Sequence, residues 1–192
     1  MILTIFTGYK SLSDVQLMEL IRRRDDNKAF AELYRRYARL LQGFFFRRLG
    51  GNTEQASDLT QDTFMRLWSS RLQYSSGQPL RTWIFTIAYN LCKNIYRRNL
   101  HEQEYLDTLA TDEPSAEDNT PLLLDAAAFD KALQYLLSRL NESQQMLFEL
   151  RFTQELTIPE IAAILDIPEG TVKSRLYTLT NHLRLRLKAY EN

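Results

Sequence analysis

Residues 157–187 read TIPEIAAILDIPEGTVKSRLYTLTNHLRLRL, and this stretch predicts two helices joined by a tight corner. Thr157 and Glu160 have the spacing of a capping box, in which the hydroxyl accepts from the amide three residues on and the carboxylate reaches back to the cap amide. Ile161, Ala162, Ile164 and Leu165 then supply an apolar stripe. Asp166-Ile167-Pro168 breaks the helix, because Pro disfavours helix in the residue before it and suits the first turn of a new one. Val172, Leu176, Leu179, Leu183 and Leu187 follow at helical spacing. The opposite face carries Ser174, Tyr177, Thr178 and Asn181, flanked by Lys173 and Arg184 on one side and Arg175 on the other. The layout is that of a helix-turn-helix: small Ala162 lets the helices approach, Val172 packs between them, and the outer face fits a DNA major groove. Many such corners carry Gly at positive φ. Here the residue is Asp166, which tolerates that region better than most. Taken alone, the segment also fits a plain helical hairpin with a solvated basic face.

The rest of the composition points the same way. A chain of 192 residues allows one or two domains, and with 6 Gly, 5 Pro and few β-branched runs the expected class is all-α. Cys92 is the one cysteine, which excludes an internal disulfide framework and a Cys-rich zinc site. No apolar run reaches the ~18 residues a membrane span needs. The opening MILTIFTGYK has neither the basic start nor the apolar length of a secretion signal, so a soluble cytoplasmic protein is expected. Formal net charge is zero, but it is unevenly spread. Residues 1–98 hold 16 Lys/Arg against 8 Asp/Glu, residues 99–128 hold 8 acids and no base, and residues 129–192 balance at 8 and 8. Basic surfaces separated by an acidic connector suit an anionic partner such as nucleic acid.

In chain order, residues 1–10 carry no signal and read as a frayed end. Ser13 and Gln16 predict a capping box opening a first helix. A second helix follows with Phe30, Leu33, Tyr34, Tyr37, Leu40 and Leu41 on one side and Arg35, Arg36 and Arg39 on the other. Gly50-Gly51-Asn52 ends it. A third helix, about 53–72, places Asp58, Gln61, Asp62 and Met65 together by the i, i+3, i+4 rule. Those acids either complement a helix N-terminus or form a docking face for a basic partner helix. After the turn Ser75-Ser76-Gly77-Gln78, Pro79 opens a fourth helix, 80–98. Ile84, Ile87, Ala88, Leu91 and Ile95 are expected to face inward, with Thr82, Thr86, Lys93 and Arg97 opposite. Phe85, Tyr89 and Tyr96 border that face on one side, Trp83, Asn90 and Asn94 on the other. Rings interleaved with cations and amides suit single-stranded nucleic acid, each ring stacking on a base for ~1–3 kcal/mol; the bland alternative is core aromatics beside a solvated face. Residues 99–128 read as a flexible acidic linker that could reach ~100 Å if fully extended. Asn141 is expected to cap a helix bearing Met146, Leu147 and Leu150 that leads into the helix-turn-helix. The predicted organisation is thus 1–98, linker 99–128, and 129–192.

Three segments together, DLTQDTFMRLW (58–68), PLRTWIFTIAYNLCKNIYRR (79–98) and IPEGTVKSRLYTLTNHLR (167–184), resemble bacterial RNA polymerase sigma factors of the extracytoplasmic-function (ECF) group. The resemblance implies that Asp58, Gln61, Asp62, Phe64 and Trp68, with Met65 on the same face, bind the β′ subunit of core polymerase. It implies that residues 69–78 and the helix bearing Thr82, Trp83, Thr86, Tyr89, Asn90, Lys93, Asn94 and Arg97 open and hold the −10 promoter strand. Lys173, Ser174, Arg175, Tyr177, Thr178 and Asn181 would read the −35 element. The linker would run along the polymerase's RNA exit path. Core polymerase (β′ and β), promoter DNA and an anti-sigma factor are the implied partners, with no cofactor, metal or small-molecule substrate. Two positions depart from the family pattern. Asn94 stands where Asp is common, and Thr178-Leu179-Thr180 stands where an Arg-Ala-Arg run is common, which removes phosphate contacts.

The competing reading is an autonomous helix-turn-helix regulator that binds duplex operator DNA, although such a protein has no need of a single-strand platform. An enzyme finds no support: there is no P-loop, HExxH or nucleophile motif, and His101 and His182 lack companions at ligand or triad spacing.

Overall fold

A computed structural model describes residues 8–107 and 126–188, with side chains at 8–97, 129 and 131–188. All regular structure among those residues is helical, in agreement with the all-α expectation. The chain divides into two compact units, Met1–Asn99 and Leu100–Asn192.

The first unit is built on α1 (Asp14–Arg24), α2 (Asn27–Arg48), α3 (Thr53–Ser69) and α4 (Leu80–Asp107). Each of the first three starts on a side-chain cap that satisfies amides with no helical acceptor. Ser13 and Gln16 form the expected capping box, Asp26 accepts from the amides of Lys28 and Ala29, and Asn52 accepts from that of Gln55. Gly50 and Gly51 turn the chain between α2 and α3 at φ 60° and 88°, where a side chain is strained. The core is Leu17, Met18 and Ile21 of α1, Leu33, Leu41, Phe44 and Phe45 of α2, Ala56 and Leu67 of α3, and Ile84, Phe85 and Ala88 of α4. Phe44 meets Phe85 edge-on at 5.5 Å, joining α2 to α4. α4 itself runs through Asp107, so the first part of the expected linker is helical. Leu100, Glu102, Gln103, Glu104 and Leu106 all favour helix, and no Gly or Pro intervenes before Pro114. Residues 108–125, the rest of that expected linker, lie outside the described residues.

Two expectations for the N-terminal part need correction. Arg36 does not stand on a solvated basic face but points into a polar knot. Its guanidinium donates to Asp14 Oδ1 (2.7 Å), to Glu32 Oε1 (2.9 Å) and to the carbonyls of Tyr9, Lys10 and Leu12 (3.3, 3.1 and 2.9 Å). Residues 9–11 are accordingly a tied-down 3₁₀ turn rather than part of a frayed end, with the Tyr9 hydroxyl donating to Asp26 Oδ2 at 3.1 Å. Arg35 also grips Glu32, at 2.8 and 2.7 Å. Hydrogen bonds from Arg35 and Arg36 hold the carboxyl of the buried Glu32 down to about 2. The Tyr37 hydroxyl donates to Asp14, and burial followed by that carboxylate raises its pKa.

The second unit comprises α5 (Ala126–Ser138), α6 (Glu142–Phe148), a π-type turn (Glu149–Thr153), α7 (Ile158–Leu165) and α8 (Glu169–Leu187). Asn141 caps α6 as expected, reciprocated by Gln144. The helix after that cap does not stay α-helical: it widens at Glu149–Thr153, and buried Gln154 closes the turn by donating to buried Glu149 at 2.9 Å. Thr157 and Glu160 form the capping box of α7, the Glu160 carboxylate accepting from the Thr157 amide at 2.8 Å. Asp166 takes the left-handed conformation at φ 54°, ψ 50°, so the helix-turn-helix corner is made without Gly. Pro168 sits one position before α8 as its N-cap residue rather than within it. Ile161, Ala162, Ile164, Val172, Leu176, Leu179 and Leu183 are buried where α8 packs on α5, α6 and α7, while Leu165 and Leu187 are half-buried.

Two substitutions test these features. At Asp166, Gly relieves the left-handed strain and raises stability by about 0.5 kcal/mol, whereas β-branched Val lowers it by about 1–2 kcal/mol in denaturant unfolding. Glu32 stabilises the fold fully above its ordinary 4.5, and this contribution is lost as pH falls through about 2. The melting-temperature gap between the native chain and Glu32→Gln therefore narrows across that interval.

Candidate nucleic-acid interface

α4 is more widely covered at its start than further on. Leu80, Thr82, Ile84 and Phe85 are all buried and together cover rather more than half of the helix circumference, while Arg81, Trp83 and Thr86 are half-buried. Thr82, expected on the outer face, is 2% exposed, which removes it from any direct contact with a ligand. The preceding loop packs onto this turn through Tyr74, which is buried with its ring 5.2 Å from that of Trp83. The Thr86 hydroxyl turns back to the Thr82 carbonyl at 2.9 Å. Phe85, placed by periodicity at the border, belongs to the core. From Ile87 onward the two faces separate. Ala88, Leu91, Cys92 and Ile95 are buried, while Asn90, Lys93, Asn94 and Arg97 are exposed and Tyr89 half-exposed on one contiguous strip. Burial pushes the Cys92 thiol up to about 12, so it stays protonated.

The end of α2 holds that strip in place. Arg48, 9% exposed, donates from Nε and Nη2 to the Tyr96 hydroxyl at 3.2 and 3.0 Å, and that hydroxyl donates to the Arg48 carbonyl at 3.0 Å. Tyr96 is therefore a strut between α2 and α4 rather than a stacking platform.

On α3, Asp58, Gln61, Asp62 and Met65 are exposed, Met65 to 69%. Only Glu54 lies in the first turn, so helix-end electrostatics do not account for Asp58 and Asp62. Phe64 is buried beneath them, edge-on to Phe30 at 5.9 Å and tilted against Tyr34 at 4.6 Å. Trp68 is half-buried, 5.1 Å from Phe30, with the Arg71 guanidinium 4.9 Å from its ring.

On α8, Lys173, Ser174, Arg175, Tyr177 and Thr178 are exposed, Tyr177 to 70%, and Asn181 is half-exposed. The Ser174 hydroxyl donates to the Thr171 carbonyl and that of Thr178 to the Ser174 carbonyl, both at 3.1 Å, leaving their oxygen lone pairs outward. Ser174, Arg175 and Thr178 also line a shallow groove of about 270 Å³ with Asn141, Ser143, Gln144 and Leu147. Leu179 is buried, so it cannot take the place of a ligand-facing residue.

These three faces fall within segments that match known proteins. Residues 33–101 match the model of sigma-70 region 2, and residues 130–178 match that of sigma-70 region 4. The chain is 34% identical over 172 residues to the ECF RNA polymerase sigma factor RpoE of Cereibacter sphaeroides, covering 88% of this chain and 92% of that protein. The chain belongs to the ECF group of RNA polymerase sigma factors. A second relative, the RNA polymerase sigma factor YlaC of Bacillus subtilis, is 32% identical over 82% of this chain and 88% of its own length. Among solved structures, the sigma factor RpoE of Bartonella quintana, crystallised with the anti-sigma factor NepR, is 27% identical with a TM-score of 0.62 over 84% of this chain and 98% of that one. The α3 and α4 faces of this sigma factor lie in the region 2 match, and the exposed α8 residues through Thr178 lie in the region 4 match.

Periodicity did not reveal Arg48, Arg71 or Tyr74, which hold the faces without belonging to them. Each is defined by a partner distant in sequence, and nothing local marks it. Tyr96→Phe removes the acceptor shared by the two Arg48 nitrogens, and denaturant unfolding is expected to show a loss of about 1–2 kcal/mol.

Proposed function

We propose that the two units of this sigma factor divide promoter recognition between opened and paired DNA. The contiguous strip Tyr89, Asn90, Lys93, Asn94 and Arg97, exposed on a helix whose other side is buried, carries this reading. Cations there hold phosphates while Tyr89 offers a ring and the two Asn side chains offer amide edges to unpaired −10 bases. Trp83 and Thr86, half-buried at the root of the strip, bound it. Thr82 has no part in contact. The exposed α8 residues Lys173, Ser174, Arg175, Tyr177 and Thr178, with Asn181, enter the major groove at the −35 element, where Lys and Arg also meet phosphates. Asp58, Gln61, Asp62 and Met65, with the edge of Trp68, dock on a basic helical surface of the β′ subunit of core polymerase.

The protein performs no covalent chemistry of its own on this reading. It lends sequence recognition to polymerase and acts where polymerase is, in the cytoplasm; no helix among the described residues is long and apolar enough to cross a membrane. An anti-sigma factor that covers one or more of these faces is the expected regulator, since the similar Bartonella quintana structure holds such a partner.

The decisive experiment is run-off transcription with core polymerase on a randomised promoter pool. Enrichment of one −35/−10 pair that depends on this protein is expected; enrichment of none overturns the proposal. Specific binding to a duplex without polymerase would favour an autonomous regulator instead. Within the active holoenzyme, Lys93→Ala should weaken promoter binding across sequences and reduce the slope of log K against log salt by about 1. Tyr177→Ala should relax preference at one −35 position and leave the salt slope unchanged.

A further inference from the structure

The exposed stripe of α3 does not stop where the α-helix does. Gln61, Met65 and Trp68 follow one another along one face, and Leu72 comes next at the same spacing in the sequence. The α-helix ends at Ser69, but the Ser70 amide still donates to the Arg66 carbonyl at 2.9 Å, and a 3₁₀ turn, Arg71–Gln73, carries the winding on. Leu72 is 69% exposed, as is Met65.

The position of Leu72 is clamped from both sides. Arg71 reaches Asp25 Oδ1 with Nε at 2.8 Å and Nη2 at 2.7 Å, and its Nη1 donates to the Trp68 carbonyl at 2.9 Å. Two residues further on, buried Tyr74 donates from its hydroxyl to the Gln78 carbonyl at 2.8 Å, and its own carbonyl accepts from Arg22 at 3.4 Å. A lone exposed leucine is ordinary. A leucine projected from a turn held through Arg71 and Tyr74, next in spacing after an exposed methionine and two exposed acids, is a preorganised apolar contact.

We propose that Leu72 is the apolar foot of the α3 docking face and packs with Met65 against the same basic helical surface of core polymerase that Asp58 and Asp62 meet. The inference rests on the docking role proposed above and extends that face by one turn. The acids at the head suit a partner with basic residues, and the apolar pair at the foot requires that partner to bring aliphatic side chains at matching spacing. Arg71 is a positioning residue here, acting through the turn it holds.

The test compares Leu72→Ser and Asp62→Lys in three measurements: thermal melting, affinity for core polymerase, and promoter opening at saturating core. Leu72→Ser should melt like the native chain and bind core about tenfold more weakly, the loss of one buried leucine contact. At saturating core it should open promoters at the native rate. Unchanged core affinity for Leu72→Ser, with Asp62→Lys weakened, overturns this inference and leaves the docking face standing. If opening is also slowed at saturating core, Leu72 instead meets DNA as a wedge between bases. Unchanged core affinity for both variants overturns the docking reading itself.

Discussion

A helix can present one face to a partner only when its other face is held by burial, and each proposed surface in this protein obeys that constraint. α4 is fixed by Ala88, Leu91 and Ile95, α3 by Ala56, Leu59, Phe64 and Leu67, and α8 by Val172, Leu176, Leu179 and Leu183. Each such Leu, Ile, Val or Phe side chain removed from water contributes roughly 1.5–3 kcal/mol. The outer faces are therefore free to carry residues chosen for a ligand rather than for the fold. The same constraint sets where an interface must end. The start of α4 encloses Leu80 and Thr82, so neither can meet DNA, whatever its side chain.

Burial alone leaves rotation and axial slip open, and buried polar contacts close those freedoms. Arg36 satisfies three backbone carbonyls and two carboxylates at once, fixing the start of α1 against α2. Arg48 and Tyr96 do the same for the far end of α2 against α4. Both arginines have low exposure, and truncating one partner of such a contact leaves a desolvated charge behind, which is costly. Directional contacts of this kind specify a single register where a layer of leucines would tolerate several.

The helices, the caps at Ser13, Asn141 and Thr157 and the left-handed corner at Asp166 were legible in the sequence because each follows from residues within four positions of one another. The α8 face was equally legible: Val172 through Leu183 supply a clean period and leave Lys173, Ser174, Tyr177 and Thr178 opposite. Thr82 was misplaced because a helical wheel assumes one covered side, whereas the start of α4 is buried over more than half of its circumference, which no periodicity encodes. Arg36 was misplaced for a related reason. As a charged residue beside Arg35 and Arg39 it reads as solvated, and only the approach of residues 9–14 turns it inward. The acidic run after Arg98 read as linker from its composition, yet Glu and Gln are good helix formers, so a helix already running had no reason to stop at Asn99.

The neutral centre of α8 bears on how the proposed division of work reaches specificity. Thr178 and Thr180 bring no charge, and Leu179 between them is buried, so the centre of this helix adds no cation to Lys173 and Arg175 for displacing counterions from duplex DNA. The α4 strip offers two, Lys93 and Arg97. On the proposed reading these cations give each surface a modest counterion-release gain, and a formal net charge of zero limits the pull of DNA at large on the whole chain. Once both are carried by one assembly, the second contact becomes intramolecular and its effective concentration multiplies the first. Weak modules then discriminate well, because a site that satisfies one element and misses the other forfeits that entire gain.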